Sequence, residues 1–272
     1  MNVFSDVEKF YKEYKGCKKI IGKSVLNRPV YAMRAGNGFP VGIVQGAIHA
    51  REWITAYLVL EQLKLGLCCG SVWFIPLTNP DGALLSACGI ESAEGEWRRK
   101  LLISANGDCN FKLWKANADA VDLNVNFDAC WGKGLYNVKF PASANYIGPK
   151  PFSEPETRAL RDFTLQVCPQ YTISYHTMGE EIYWQFYQPL LRCARDKRLA
   201  CLLSSLTGYP LKTAEGSVGG YKDWCICELK IPAFTVEVGN GKHPLGKESL
   251  DDILKHNLCS VREFSACWRG GI

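Results

Sequence analysis

Apolar residues recur along the chain with two periods, and the points where the period changes mark the elements. Val7, Phe10, Tyr11 and Tyr14 recur at helical spacing behind Ser5-x-x-Glu8, a capping-box pattern, and Gly16 stops that helix. Lys18–Ser24 and Val30–Ala35 read as strands joined by a turn at Asn27-Arg28-Pro29. Val41–Gly46 is a short apolar run, after which His49-Ala50-Arg51-Glu52 opens a helix to about Leu65, ended by Gly66. Ser71–Leu77 reads as a fully buried strand bounded by the turn Thr78-Asn79-Pro80-Asp81-Gly82. Residues 83–150 lose this periodicity and are rich in Gly, Asn and Asp, which predicts long functional loops. A second capping box, Ser153-x-x-Glu156, starts a helix to about Gln166. A strand (Tyr171–Tyr175), a helix (Leu190–Leu206) and a strand (Ala233–Val238) follow. An amphipathic helix from Glu248 closes the chain and buries Leu250, Ile253, Leu254, Leu258 and Val261. Strands alternate with helices, with no internal repeat or linker. The pattern predicts one α/β domain over residues 1–272, with a twisted, mixed, largely parallel central sheet flanked by helices.

Composition narrows the classes. At 272 residues and 47% hydrophobic, the chain can bury one large core. Its formal charge of +5 comes from scattered basic residues rather than a stripe, which argues against nucleic-acid binding. No apolar run approaches the ~20 residues a membrane-spanning helix needs. The thirteen cysteines are an odd number and include no C-x-x-C, so neither a zinc ribbon nor a thioredoxin-like pair is expected. Cys168, Cys201 and Cys259 sit in apolar contexts, and Met1–Phe10 lacks the apolar segment of a secretory signal. A reduced, cytoplasmic protein is the expectation.

The candidate chemistry lies at strand ends. His49-x-x-Glu52 directly follows the strand Val41–Gly46, His176 follows Tyr171–Tyr175, and Glu237 ends the run Phe234-Thr235-Val236-Glu237. Carboxyl ends of strands in open α/β sheets converge on one crevice. Two histidines and a glutamate with a fourth position open form a catalytic zinc pattern. Each residue alone has an ordinary alternative: a satisfied structural histidine, or a helix-start charge at Glu52 favoured by the dipole. Glu237 sharpens the case, because a carboxylate in an apolar strand needs a partner or a function. His243, in a Gly-Lys-His-Pro loop, and His256, among charged helical neighbours, are not ligand candidates.

Seven segments together resemble the zinc metallocarboxypeptidases typified by carboxypeptidase A. They are Gly46-Ala47-Ile48-His49-Ala50-Arg51-Glu52-Trp53, Asn79-Pro80-Asp81-Gly82, Trp97-Arg98, Asp122-Leu123-Asn124, Ser153-Glu154-Pro155-Glu156, Tyr175-His176 and Thr235-Val236-Glu237. They occur in family order across nearly the whole chain. The resemblance implies one zinc ion on His49, Glu52 and His176, with Glu237 as general base and Arg98 stabilising the oxyanion. Arg98's alternative is one member of the basic run Arg98-Arg99-Lys100 on a solvated face. The family grips a terminal carboxylate with an Asn-Arg pair, but here Asn124 is followed by Val125. The slot of an active-site loop tyrosine falls on Glu215, and the residue at the base of the leaving-side pocket falls on Lys222. A lysine there favours a side-chain carboxylate, unless it snorkels to solvent.

Asp122–Asp128 and Gly219–Trp224 look most like the bacterial γ-D-glutamyl-L-diamino-acid endopeptidase branch, which cuts cell-wall peptides between D-Glu and meso-diaminopimelate. The resemblance thus implies a murein-derived peptide substrate. The alternatives are a carboxypeptidase removing an acidic C-terminal residue, an N-acyl amino-acid deacylase, and a non-catalytic zinc-binding module.

Overall fold

The computed structural model describes residues 2–213 and 216–268. Eight strands form one sheet: β1 (Lys18–Lys23), β2 (Pro29–Gly36), β3 (Val41–Gln45), β4 (Ser71–Ile75), β5 (Tyr171–His176), β6 (Glu181–Tyr183), β7 (Leu211–Lys212) and β8 (Ala233–Glu237). Their order is β1-β2-β4-β3-β5-β8-β6-β7. The central run β4-β3-β5-β8 is parallel, while β1 and β2, β2 and β4, and β6 and β8 pair antiparallel. Every residue of β4 and β5 is buried, as expected of parallel strands covered on both faces.

Helices cover both sides. Val3–Glu13, Ile54–Leu65, Leu190–Thr207, Leu250–Asn257 and Ser260–Ala266 pack one face through residues such as Val7, Leu58, Leu203, Ile253 and Phe264. Pro155–Val167 and Tyr221–Trp224 pack the other through Leu160, Phe163, Tyr221 and Trp224. The predicted α/β sheet is therefore present, and its parallel centre brings the ends of β3, β5 and β8 side by side.

Several local expectations change. The first helix is capped by Asn2, whose side chain accepts the Ser5 N–H at 3.0 Å, so Ser5 lies inside the helix instead of capping it. Residues 78–82 are not merely a turn: Asn79 caps the helix Pro80–Cys88, accepting the Gly82 N–H at 2.9 Å. A further helix, Glu96–Asn106, occupies what the lost periodicity suggested was loop. Glu154, not Ser153, stands at the cap before Pro155. The C-terminal amphipathic stretch is broken into two helices. β6 and β7 have three and two residues, too few for a period to register.

None of the thirteen cysteines forms a disulfide. Cys168, Cys201 and Cys259 are exposed, contrary to their apolar sequence contexts, and Cys225 is the buried thiol. Among the described residues no helix is long and apolar enough to cross a membrane.

Candidate metal centre and cleft

The chain leaves β3 through Ala47, whose backbone is left-handed (φ 50°) and whose N–H donates to Thr55 Oγ1 at 2.7 Å. Thr55 in turn donates to the Glu52 carbonyl at 2.8 Å. These bonds set residues 50–52 as a short 3-10 turn, so the helix opens at Ile54 and not at His49. The turn carries His49 and Glu52 to the end of the sheet. His176 is the last residue of β5, in register with Glu237 on β8.

His49 Nδ1 lies 2.9 Å from Glu52 Oε1, and His176 Nδ1 lies 3.0 Å from Glu52 Oε2. The two histidine Nδ1 atoms face each other at 3.1 Å. Among the described residues this is the group of three whose donor atoms could hold a metal ion. A tetrahedral zinc ion with bonds near 2.0–2.1 Å needs its donors roughly 3.3 Å apart, close to the separations here. Two nitrogens and a carboxylate, each buried and turned on one point, suit zinc. On its far side, His49 Nε2 lies 3.4 Å from Asp122 Oδ1, the carboxylate–histidine arrangement that orients a metal-binding imidazole. Asp122 is itself fixed by the Lys115 ammonium at 2.9 Å and by the N–H groups of Asn124 and Asn145.

Burial works against the charge of Glu52, but His49 and His176 outweigh it and hold this carboxyl well below the usual range. Burial is likewise outweighed at Asp122 by Lys115 and His49. Glu237 shifts the other way. Burial, joined by the Glu52 and Glu181 carboxylates, raises it against the pull of His176 and Lys115. Its raised proton affinity is what a group that takes up and returns a proton near neutrality requires.

A cleft of about 300 Å³ opens over this cluster, with Glu237 and Lys115 in its lining beside the histidines. Asn124 and Val125 lie on its wall; the Asn124 side chain accepts the Tyr221 N–H at 3.1 Å, and Val125 offers only an aliphatic surface. Lys222 also lines the cleft at 7% exposure, donating to the Gln185 carbonyl at 3.1 Å and pairing with Asp223. It does not snorkel to solvent. Glu215 lies outside the described residues.

Arg98 is the correction. It sits in the first turn of Glu96–Asn106, beside Trp97, which is 71% exposed, and its guanidinium bonds the Ala118 carbonyl and Asp119. It is not part of the cleft lining, where Lys115 stands instead. Sequence reasoning missed Lys115. The available signal was Trp114-Lys115, a second aromatic–cation pair, closer in sequence to Asp122-Leu123-Asn124 than Trp97-Arg98 is. His243 and His256 stay outside the cluster, against Thr177 Oγ1 and the Thr207 carbonyl.

The sequence profile described as zinc carboxypeptidase matches residues 5–65 and 70–258. The chain is 32% identical over 257 residues to gamma-D-glutamyl-L-diamino acid endopeptidase 1 of Lysinibacillus sphaericus, covering 88% of this chain and 64% of that protein. It thus spans just under two thirds of that relative's length. It is 30% identical over 165 residues to murein peptide amidase A of Escherichia coli K12, covering 56% of this chain and 62% of the other. Bovine thrombin-activatable fibrinolysis inhibitor in complex with tick carboxypeptidase inhibitor shares the fold with a TM-score of 0.74, at 20% identity over 97% of this chain and 93% of that one. Murein-tripeptide amidase from Escherichia coli O157 does so with a TM-score of 0.63, at 22% identity over 96% of each chain.

Proposed function

The chain belongs to the zinc carboxypeptidase family, and we propose that it is a zinc metallopeptidase hydrolysing murein peptides between γ-D-glutamate and meso-diaminopimelate. The observation that carries the substrate is the cleft wall. Lys222 is a buried cation in the cleft lining, at the position the family resemblance assigns to the base of the leaving-side pocket, while Val125 stands where the resemblance expects the guanidinium that would clamp a main-chain carboxylate. Diaminopimelate carries a carboxylate at the far end of its side chain, and a chain continuing beyond it meets no clamp at Val125. The names of two relatives, a gamma-D-glutamyl-L-diamino acid endopeptidase and a murein peptide amidase, support the same reading. Thirteen cysteines without a disulfide suit a reducing compartment, and we place the protein in the cytoplasm.

His49, Glu52 and His176 would hold the zinc ion, which would supply polarisation of the scissile carbonyl and acidification of water. Glu237 takes the proton of the attacking water and returns it to the leaving amine. Lys115, which influences Glu237 electrostatically and reaches Asp122, supplies the positive charge that meets the developing oxyanion, the role the sequence assigned to Arg98. Asp122 keeps the His49 ring oriented through Nε2.

A second reading, removal of an acidic C-terminal residue, also uses Lys222 but leaves the terminal carboxylate against Val125. Mass spectrometry of products from a panel of murein tripeptides, tetrapeptides and ordinary peptides separates the two. Release of L-Ala-γ-D-Glu from the murein peptides is expected; trimming of ordinary peptides ending in Glu or Asp, with murein peptides untouched, refutes the proposal.

A further inference from the structure

We infer that the cleft reads the far end of the substrate's side chain as a zwitterion, with Lys222 taking its carboxylate and Asp223 its ammonium. The inference rests on the diamino-acid reading above and extends it to a second charge. Lys222 and Asp223 are paired, their side chains are 8% and 7% exposed, and both line the same cleft. Two opposite charges therefore face one small volume.

Such a pair is costly to bury, and apolar residues of similar size generally line a pocket at less expense in stability. A ligand that satisfies both members would offset this cost. Of the three N–H donors of Lys222, one goes to the Gln185 carbonyl and one to Asp223 Oδ1, which leaves a third. Asp223 Oδ2 accepts the Gly220 N–H at 3.1 Å, and a carboxylate with these two bonds retains acceptor capacity. The Lys222 ammonium lies 5.4 Å from the centre of the Phe186 ring, and Thr213 and Ser217 add hydroxyls to the cleft lining.

Charge balance then ranks ligands. A lone carboxylate approaching Lys222 meets the repulsion of Asp223. A lone ammonium approaching Asp223 meets Lys222. An α-amino-acid head group brings both charges and completes an alternating arrangement of four, each charge beside its opposite. The ligand class is therefore an aliphatic side chain ending in a free α-amino acid.

The first test changes the substrate and leaves the protein intact, because Asp223 also holds the Gly220 backbone. Peptides carrying γ-D-Glu followed by meso-diaminopimelate, L-2-aminopimelate (distal carboxylate only), L-lysine (distal ammonium only) or L-norleucine (neither) are compared on the zinc-loaded enzyme. The diaminopimelate peptide should be cut fastest, with kcat/KM at least about thirtyfold above both singly charged peptides. Asp223→Asn should close the gap between diaminopimelate and aminopimelate, and Lys222→Met the gap between diaminopimelate and lysine. Equal rates for diaminopimelate and aminopimelate, with lysine slow, would make Lys222 a simple carboxylate reader and overturn the zwitterion inference while leaving the proposed function standing. A gap unchanged in Asp223→Asn overturns it too. Failure to cut any of the four, while ordinary peptides are hydrolysed, overturns the proposed function with it.

Discussion

Two pairs of buried carboxyl groups, Glu52 with Asp122 and Glu154 with Glu156, are enclosed to the same degree yet are shifted in opposite directions. All four are 4% exposed or less, and at each the largest influence is burial, which opposes charge. At the metal centre His49, His176 and Lys115 more than offset it, so Glu52 and Asp122 are held as carboxylates. Beneath the helix that starts at Pro155, the neighbour shared by the other two is a neutral amide: Asn117 Nδ2 donates to Glu154 at 2.6 Å and to Glu156 at 3.2 Å. Asp81 adds negative charge nearby, and Glu156 is pushed up to about 8. Burial alone does not decide whether an acid is charged. The balance of charges within reach does, and the pair held low by its cationic neighbours is the one at the candidate metal centre.

Removing the metal-side partners is the severest way to break this contrast. His49→Ala and His176→Ala should each lose zinc, and the double variant should bind none, as metal analysis of the purified proteins will show. Zinc persisting at one per chain in the double variant would refute the ligand assignment.

Next in size is the cation itself. Lys115→Ala should lower kcat by roughly 10²–10³-fold, the usual loss when an oxyanion donor is removed. Arg98→Ala should leave kcat within about twofold, since this guanidinium is held by Asp119 and Ala118 away from the cleft lining, where Lys115 stands. Steady-state kinetics of the two variants decide between them, and the reverse result restores Arg98 to the site.

The smallest effect sharpens the other side. Glu156 has a folded pKa of about 8 against 4.5 for a free carboxyl, so the folded state holds its proton more tightly than the unfolded one. Its contribution to stability is complete below about pH 4.5 and is lost as pH rises toward 8. Glu156→Gln, which cannot ionise, should lack this loss, so its Tm should gain on wild type between pH 5 and 8. The corresponding difference in unfolding free energy should be on the order of a few kcal/mol at most. Parallel Tm–pH curves would show that Glu156 is charged in the folded protein.

Much of the fold and of the metal centre was legible because both rest on strands. The runs at Val41, Ser71, Tyr171 and Ala233 are apolar enough to mark the four parallel central strands, and His49, Glu52, His176 and Glu237 sit at or just beyond three of their ends. The cleft walls were harder to read. Lys115 lies next to a short turn, Phe111–Leu113, that carries no period, and only its hydrogen bonds to Asp122 and Asn145 turn it toward the cleft. Arg98 misled because Trp97-Arg98 fits the motif locally, while the helix Glu96–Asn106 holds it against Asp119. The caps at Asn2 and Glu154 were missed for a related reason. Ser-x-x-Glu occurs at both helix starts, but each helix begins elsewhere: the Asn2 amide claims the first, and Pro155 fixes the second at its first position.

The central claim is that Glu237 moves the proton in a hydrolysis assembled around zinc on His49, Glu52 and His176. Its most direct test is Glu237→Gln, with metal content and turnover of the γ-D-glutamyl–diaminopimelate peptide measured on the same preparation. The account predicts one zinc per chain, as in wild type, with kcat lower by roughly 10²–10⁴-fold. Near-normal turnover with zinc in place would contradict it and require another base.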